Sequence, residues 1–417
     1  MAIIYQYYDI YHYNYNLPMP DLMEKMHLPE LKRQKRISLF ITNDFPPIVS
    51  GISTVFYHVC KRLPHNKIIV LAPAAPASAE FDKKETFPII RKNISTAESG
   101  KAKLWKMVFH IFYAIYYIKK YTIAKLHCGQ ILSIGPAGLI CKKLFGTKYS
   151  VYVYGSETIR FGNSRLMSAL MKKIIHEADE LVTNSEFTTQ EFIRWGISRG
   201  KIIKIVPGVD CSLFYPHEKP SNLLERYHLQ NKKVIMTVGR LDERKGHDVV
   251  IRAMTHLTKR FPELVYIIVG KGREEERLTK LTKDLNLNDS IIFTGFVGDE
   301  LLRDYYNLCD IFVLPNRETE QNEQLRGDYE GFGIVFLEAS ACGKPVIAGN
   351  SGGSGEAVAN GITGILIDPK SEEAVAQAIE RILTDKEYAE RLGKAGRQRA
   401  EKEFDWQHIA NTVQEIL

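Results

Sequence analysis

The sequence holds six cysteines and no C-x-x-C pair; Cys60, Cys128, Cys141, Cys211, Cys309 and Cys342 stand far apart. That spacing excludes the common zinc and dithiol motifs and a disulfide scaffold. Several of the thiols lie in apolar runs, where cysteine acts as a small hydrophobe, and all are read as reduced. No run of about 18 uncharged apolar residues occurs, so no membrane-spanning helix is expected. The first residues lack the basic-then-apolar order of a secretory signal. These absences lead to the expectation of a cytoplasmic protein, at most peripheral on the cytoplasmic face of a membrane.

Acidic residues are locally scarce as well. From Gly100 to Gly155 the chain has nine Lys and neither Asp nor Glu. Residues Met1–His217 carry 29 basic and 16 acidic side chains, a surplus of +13, whereas Glu218–Leu417 carry 27 and 33, hence −6. The net +7 is therefore an asymmetry, and it points to an anionic surface or partner for the first half only. Nucleic acid is disfavoured, because the positive stretch is rich in apolar residues and no nucleic-acid motif occurs. The composition, 45% hydrophobic and 25% charged, is that of a globular protein, and 417 residues imply two or more domains.

Residues 1–36 read as a separate extension, crowded with Tyr5, Tyr7, Tyr8, Tyr11, Tyr13 and Tyr15 and closed by Lys32, Arg33, Lys35 and Arg36. Such a tail packs on its own domain, packs on a second subunit, or contacts a membrane or partner; the sequence leaves these open. From Ile37 onward, short β-branched runs alternate with amphipathic segments. Strands are predicted at Ile37–Thr42, Ile68–Leu71, Ile131–Ile134, Tyr149–Tyr154, Glu180–Asn184 and Lys204–Val206. A second series fits Val234–Val238, Val265–Val269, Ile291–Thr294, Ile311–Leu314, Pro345–Ala348 and Gly364–Ile367. Helices such as His247–Arg260, Arg273–Leu285 and Ser371–Leu383 lie between them. Buried strands alternating with helices indicate parallel sheets covered on both faces. The expected architecture is α/β: two Rossmann-like, doubly wound domains at 37–212 and 220–400 facing a central cleft, with a last helix over 401–417 that could cross back to the first domain. Ligands of such sheets bind beyond the strands' carboxyl ends.

Three segments carry candidate chemistry. Asp44-Phe45-Pro46-Pro47-Ile48-Val49-Ser50-Gly51 follows the first strand and leads into a helix, where backbone amides suit phosphate. Taken alone, the loop is better read as a plain tight turn, and it is not the dinucleotide G-x-G-x-x-G pattern. Arg240 and Lys245 flank a turn after the first strand of the second domain, either as a diphosphate grip or as a solvated basic turn. Glu330-Gly331-Phe332-Gly333-Ile334 then opens a helix that carries Glu338. Glu330 is expected in a loop, free to reach hydroxyls, and Glu338 two turns into the helix, facing cleft or solvent. Paired carboxylates also serve glycosidases, but hydrolases seldom set a basic diphosphate grip beside them.

The order of these segments resembles the family-4 retaining glycosyltransferases of the GT-B fold, from about Ile37 to the end. Glu330-x7-Glu338 is the most specific part, and Ser351-Gly352-Gly353-Ser354-Gly355-Glu356 is similar to a second family segment. Phosphatidylinositol mannosyltransferases are similar here and at Asp44-Phe45-Pro46-Pro47. The resemblance implies a hexosyltransferase acting on a lipid-linked or glycan hydroxyl, with GDP-mannose or a UDP-hexose as donor and without metal or other cofactor. By the same resemblance, Ser50 and Gly51 approach the donor diphosphate and Arg240 and Lys245 neutralise it. Glu330 receives the sugar hydroxyls, beside the amides of Phe332, Gly333 and Ile334. Glu338 holds the ribose, and Gly295 and Val297 line the base.

This chain departs from the pattern in two places. A glycine pair is replaced by Ser50-Gly51, and the family's His-Gly-x-Asp/Glu reads Tyr154-Gly155-Ser156-Glu157. Tyr154 and Glu157 are therefore candidates for the acceptor side or reacting centre, although a tyrosine is a poor proton acceptor near neutrality. The replacement favours one rival, a non-catalytic or weakly active membrane-docking protein of the same fold. A same-fold sugar-nucleotide epimerase is another. On the acceptor side, Lys101–Lys120 forms an aromatic, Lys-flanked helix, readable either as a cover for the first sheet or as an interfacial helix on anionic lipid.

Overall fold

The computed structural model describes residues 36–94, 100–155, 157, 164–319 and 328–417. Apart from Arg36, the tyrosine-rich extension lies outside them. Runs of Ile, Val and Leu form β1 (Ile37–Ile41), β2 (Ile68–Pro73), β3 (Ile89–Lys92), β4 (Ile123–Cys128), β5 (Lys148–Val153), β6 (Glu180–Thr183) and β7 (Ile202–Lys204). They make a parallel sheet of order β3-β2-β1-β4-β5-β6-β7. The second parallel sheet has the order β10-β9-β8-β11-β12-β13, from β8 (Lys233–Val238), β9 (Leu264–Val269), β10 (Ile291–Gly295), β11 (Ile311–Leu314), β12 (Val346–Gly349) and β13 (Gly364–Ile367). In each sheet the order reverses beside the first strand, between β1 and β4 and between β8 and β11. Such a reversal leaves a crevice at the strands' carboxyl ends, and the loops after β1, β8 and β11 carry the three candidate segments.

The period of two along each strand divides the cores. Leu39 and Tyr149 face the layer containing the helix Gly100–Lys120, while Phe40 and Tyr152 face the helices Gly51–Arg62 and Trp406–Gln414. The second sheet divides likewise, with Ile235 and Tyr266 on one face and Met236 and Val265 on the other.

The predicted strand Ile131–Ile134 is instead the turn into the helix Gly135–Phe145; the amides of Ile134 and Gly135 both bond to the Gln130 carbonyl. The strand lies earlier, at β4, because its two interrupting polar residues are buried with partners. Lys125 Nζ bonds to Glu180 at 2.8 Å and to the Ile416 carbonyl at 2.6 Å. His127 stacks on Phe40, with ring centroids 4.1 Å apart. The last strand of the first sheet, β7, begins and ends two residues before the predicted Lys204–Val206.

The chain returns to the first domain at its end. Val209 N donates to the Phe404 carbonyl at 2.8 Å where the chain crosses back, and Trp406, 1% exposed, stacks on His58 with centroids 5.0 Å apart. Trp406→Ala should remove about 3–5 kcal/mol from the first domain, the usual cost of emptying so large a buried site. Urea unfolding followed by circular dichroism checks this, and an unchanged transition contradicts the packing described.

Candidate functional site

After β8 the chain makes one tight helical turn, Glu243–Lys245, which sends two neighbouring cations toward the loop that follows β11. Lys245, 7% exposed, bonds through Nζ to Glu330 Oε2, and Arg244 Nη1 bonds to the same oxygen at 2.7 Å. Arg244 Nε also lies 3.3 Å from Asp328 Oδ2. Burial alone would raise the Glu330 carboxyl, but Lys245 and Arg244 outweigh it and hold the group well below its ordinary range. Burial pulls the Lys245 ammonium below its usual value, with Arg244 reinforcing that shift and Glu330 opposing it. Glu330 is thus an ion-paired side chain, not the free loop carboxylate expected from the sequence.

Arg240 is not part of this cluster. Its side chain is 68% exposed and pairs with Asp242 at 3.3 Å. Arg244, absent from the sequence expectation, occupies the place beside Lys245. The basic turn Arg240-Leu241-Asp242-Glu243-Arg244-Lys245 held the signal, but only the turn geometry chooses between its arginines.

The Glu330 loop is held from behind and from across the cleft. Gly353 N donates to the Glu330 carbonyl at 2.8 Å, and a Cβ on Gly353 would lie 2.0 Å from the Gly331 carbonyl, so a side chain there would push the loop away. A Cβ on Gly331 would lie 2.6 Å from the Tyr154 carbonyl of the first domain. Phe187 and Tyr329 meet across the same junction with ring centroids 4.8 Å apart. Nearby, Glu356 accepts from Lys204 Nζ at 2.7 Å and from the Glu186 amide at 2.9 Å, joining the two domains. Phe332 is 2% exposed, and Gly333, at φ 92°, begins the helix Ile334–Ala341. Ile334 is half-buried.

Glu338 sits on that helix and accepts from the buried Tyr306 hydroxyl at 2.6 Å. Burial pushes its carboxyl up to about 7; Asp299 acts in the same direction, and the Tyr306 hydrogen bond opposes. Gly295, at φ 72°, ends β10, and Val297 is 9% exposed just beyond it.

On the first-domain side Ser50 caps the helix Gly51–Arg62, its side chain accepting from Ser53 N at 3.1 Å, and the space where a Cβ on Gly51 would stand is open. The Glu157 carboxylate accepts from the amides of Tyr154 at 2.9 Å and Gly155 at 2.7 Å, so it fixes the loop backbone. Tyr154 is half-buried, its hydroxyl shut off from solvent, and it lines a small apolar cavity with Phe40, Phe56, Tyr152 and Val413. Burial keeps its phenol well above the ordinary value, hence neutral. Beside it, Gln130 bridges the loops after β1 and β4, accepting from Asn43 N at 3.0 Å and donating to Asp44 Oδ2 at 3.3 Å. Asn43 Nδ2 donates to Ser133 Oγ at 2.7 Å, leaving Asn43 Oδ1 buried with no partner among the described residues. This polar group was not singled out from the sequence, since single Asn and Gln residues carry no spacing signal. Among the described residues no group of three or more His, Cys, Asp or Glu is placed to hold a metal.

Two parallel doubly wound sheets meeting through the loops at their carboxyl ends define a GT-B protein. Solved structures of that fold align over most of the chain. HepE of Anabaena, solved with UDP and glucose, gives a TM-score of 0.75 at 20% identity, over 91% of this chain and 98% of that one. Sucrose-phosphate synthase of Thermosynechococcus elongatus gives 0.76 at 25% identity, over 92% and 98%. The family model described as glycosyl transferases group 1 matches residues 224–399, and that of glycosyltransferase family 4 matches residues 49–213. The chain belongs to this glycosyltransferase family and is a hexosyltransferase that uses a nucleotide sugar. It is 29% identical over 389 residues to the GDP-mannose-dependent alpha-(1-6)-phosphatidylinositol monomannoside mannosyltransferase of Mycolicibacterium smegmatis, covering 91% of this chain and 97% of the relative. A Corynebacterium glutamicum enzyme, GDP-mannose-dependent and named for the monoacylated form of that acceptor, is 29% identical over 92% and 98% of the two chains.

Breaking one side of a buried ion pair costs about 3–5 kcal/mol, because the remaining charge stays buried without its partner. Glu330→Gln should therefore unfold at lower urea than wild type, and adding Lys245→Met should recover part of the loss. A double variant no more stable than the single one contradicts the pairing. The raised carboxyl of Glu338 makes stability fall as pH rises. Its stabilising protonation is fully present below about 4.5 and is lost as pH rises through about 7. Between pH 5 and pH 8 wild type should lose up to about 3 kcal/mol relative to Glu338→Gln, measured as the difference between their urea midpoints at each pH.

Proposed function

We propose that the protein transfers a hexose, with retention of anomeric configuration, from a nucleoside diphosphate sugar to a hydroxyl of a lipid-linked or glycan acceptor. GDP-mannose is the favoured donor, supported by the names of the relatives aligned over nearly the whole chain. UDP-hexose is the second reading, supported by the UDP complex of a structural neighbour.

The single observation that carries the reading is the buried carboxylate Glu330 held between Lys245 and Arg244. A donor diphosphate brings two anionic groups to these cations and competes with Glu330 for them. The displaced carboxylate then accepts hydrogen bonds from the sugar hydroxyls, and the cations remain to stabilise charge on the departing diphosphate. The bond from the anomeric carbon to the phosphate oxygen breaks while the acceptor oxygen bonds to the same face of that carbon. The acceptor proton passes to the departing phosphate oxygen, which removes the need for an imidazole where Tyr154 stands. Glu338 receives the ribose hydroxyls, and the backbone around Gly295 and Val297 lines the base. Ser50 and Gly51 border the diphosphate from the first domain, where Gly51 leaves open space. No metal takes part.

Glu330→Gln should lower transfer by about a hundredfold or more, assayed at a temperature where circular dichroism shows the variant folded; near-wild-type turnover refutes the role. Lys245→Ala combined with Arg240→Ala, and Lys245→Ala combined with Arg244→Ala, should each weaken sugar-nucleotide binding in a thermal-shift assay. The Arg244 pair should be the weaker binder, because Arg240 points to solvent. A panel of GDP- and UDP-sugars in the same assay, followed by NMR of the product anomer, decides both donor and stereochemistry.

A further inference from the structure

Residues 328–331 face two ways in turn. Asp328 and Glu330 turn to the loop after β8, where Arg244 Nε lies 3.3 Å from Asp328 Oδ2 and Arg244 Nη1 bonds to Glu330 Oε2 at 2.7 Å. Tyr329 and Gly331 turn the other way, to the first domain. The Tyr329 ring meets Phe187 with centroids 4.8 Å apart and planes at 72°, and a Cβ on Gly155 would lie 2.7 Å from Tyr329 Cε2. A Cβ on Gly331 would lie 2.8 Å from Asn184 Nδ2. Such alternation is that of an extended chain, whose neighbouring side chains point to opposite sides. Tyr329, 4% exposed, is thus a second-domain side chain seated among first-domain residues.

The seat suits a flat ring. Gly155 stands at φ 105°, where a side chain would be strained, and the lack of one leaves room for the tyrosine. Its amide donates to Glu157 at 2.7 Å and the Tyr154 amide donates to the same carboxylate at 2.9 Å, so Glu157 holds the floor of the seat. Phe187 forms the wall from the helix Glu186–Arg194, meeting the tyrosine in the edge-to-face manner that aromatic rings favour.

We infer that Tyr329 is a positioning residue for the transfer: seated against Gly155 and Phe187, it sets where the Glu330 carboxylate stands relative to the first domain. Tyr329 and Glu330 are adjacent in the chain, so a displaced ring carries the carboxylate with it. The inference rests on the transferase reading for its consequence, since on that reading Glu330 receives the donor sugar and the acceptor lies on the first-domain side. Reacting groups misplaced by about 1 Å lose on the order of a hundredfold in rate. The grip on the diphosphate, by contrast, is made within the second domain by Lys245 and Arg244. Tyr329 therefore governs turnover and leaves nucleotide affinity alone.

Tyr329→Ala should lower kcat for hexose transfer by about tenfold or more, while the Kd for GDP or UDP, whichever the wild type binds, stays within about twofold. Tyr329→Phe keeps the ring and should keep the rate. Phe187→Ala, a change in the other domain, should lower kcat alike, and the double alanine variant should be no slower than the slower single one. Each variant is assayed at a temperature where circular dichroism shows it folded. An unchanged kcat in Tyr329→Ala, an equal loss of nucleotide affinity, a Tyr329→Phe as slow as Tyr329→Ala, or multiplied losses in the double variant overturns the inference. Hydrogen exchange gives a reading that needs no activity. Phe187→Ala should speed exchange in the peptide spanning residues 328–333, and unchanged exchange there overturns the inference as well. A wild type that transfers no hexose from any GDP- or UDP-sugar, in a protein that shows this exchange response, refutes the transferase reading and leaves the seating of Tyr329 intact.

Discussion

The arrangement of the cleft depends on one buried anion shared by two cations. The Glu330 side chain is only 13% exposed, and its charge is balanced by Lys245 and Arg244, whose own burial is in turn offset by that anion. Loops after two different strands, β8 and β11, are thereby fixed to one another, and the fixed point sits where the sheet order reverses. An anionic ligand entering such a place exchanges one counter-ion for another, which costs far less than creating a charged site anew.

The same loop is also the meeting point of the domains. Gly331 touches the Tyr154 carbonyl side of the junction, and Glu356 reaches across to Lys204 and Glu186. The small residues around Glu330 therefore answer to packing constraints from both domains, as well as to any ligand. Close backbone contact explains why the segment is rich in glycine without requiring every glycine to serve a phosphate.

Much of the second domain was legible in the sequence because its strands are continuous apolar runs; the predicted helix His247–Arg260 matches the observed one residue for residue. The first domain was harder to read. β4 carries Lys125, which pairs with Glu180, and His127, whose Nδ1 meets the Tyr152 hydroxyl, contacts that sequence alone cannot supply, and β3, Ile-Ile-Arg-Lys, is an edge strand with no alternation to detect. The site was legible as residue types and spacing. The choice of Arg244 over Arg240, and the pairing of Glu330 with Lys245 and Arg244, come from a single tight turn whose geometry no spacing rule encodes. The aromatic helix covers the first sheet with one face and exposes aromatic residues on the other, a division that composition alone does not reveal.

The return of the chain at Phe404 has a mechanical meaning. The second domain is joined to the first by two crossings, and these run side by side, tied by the hydrogen bond from Val209 to Phe404. A single linker lets a domain swivel about every axis. Two adjacent, bonded segments resist twisting more than bending, so the double crossing restricts the ways one domain can turn against the other. Trp406, wedged against His58 just past the second crossing, anchors the returning segment to the first domain.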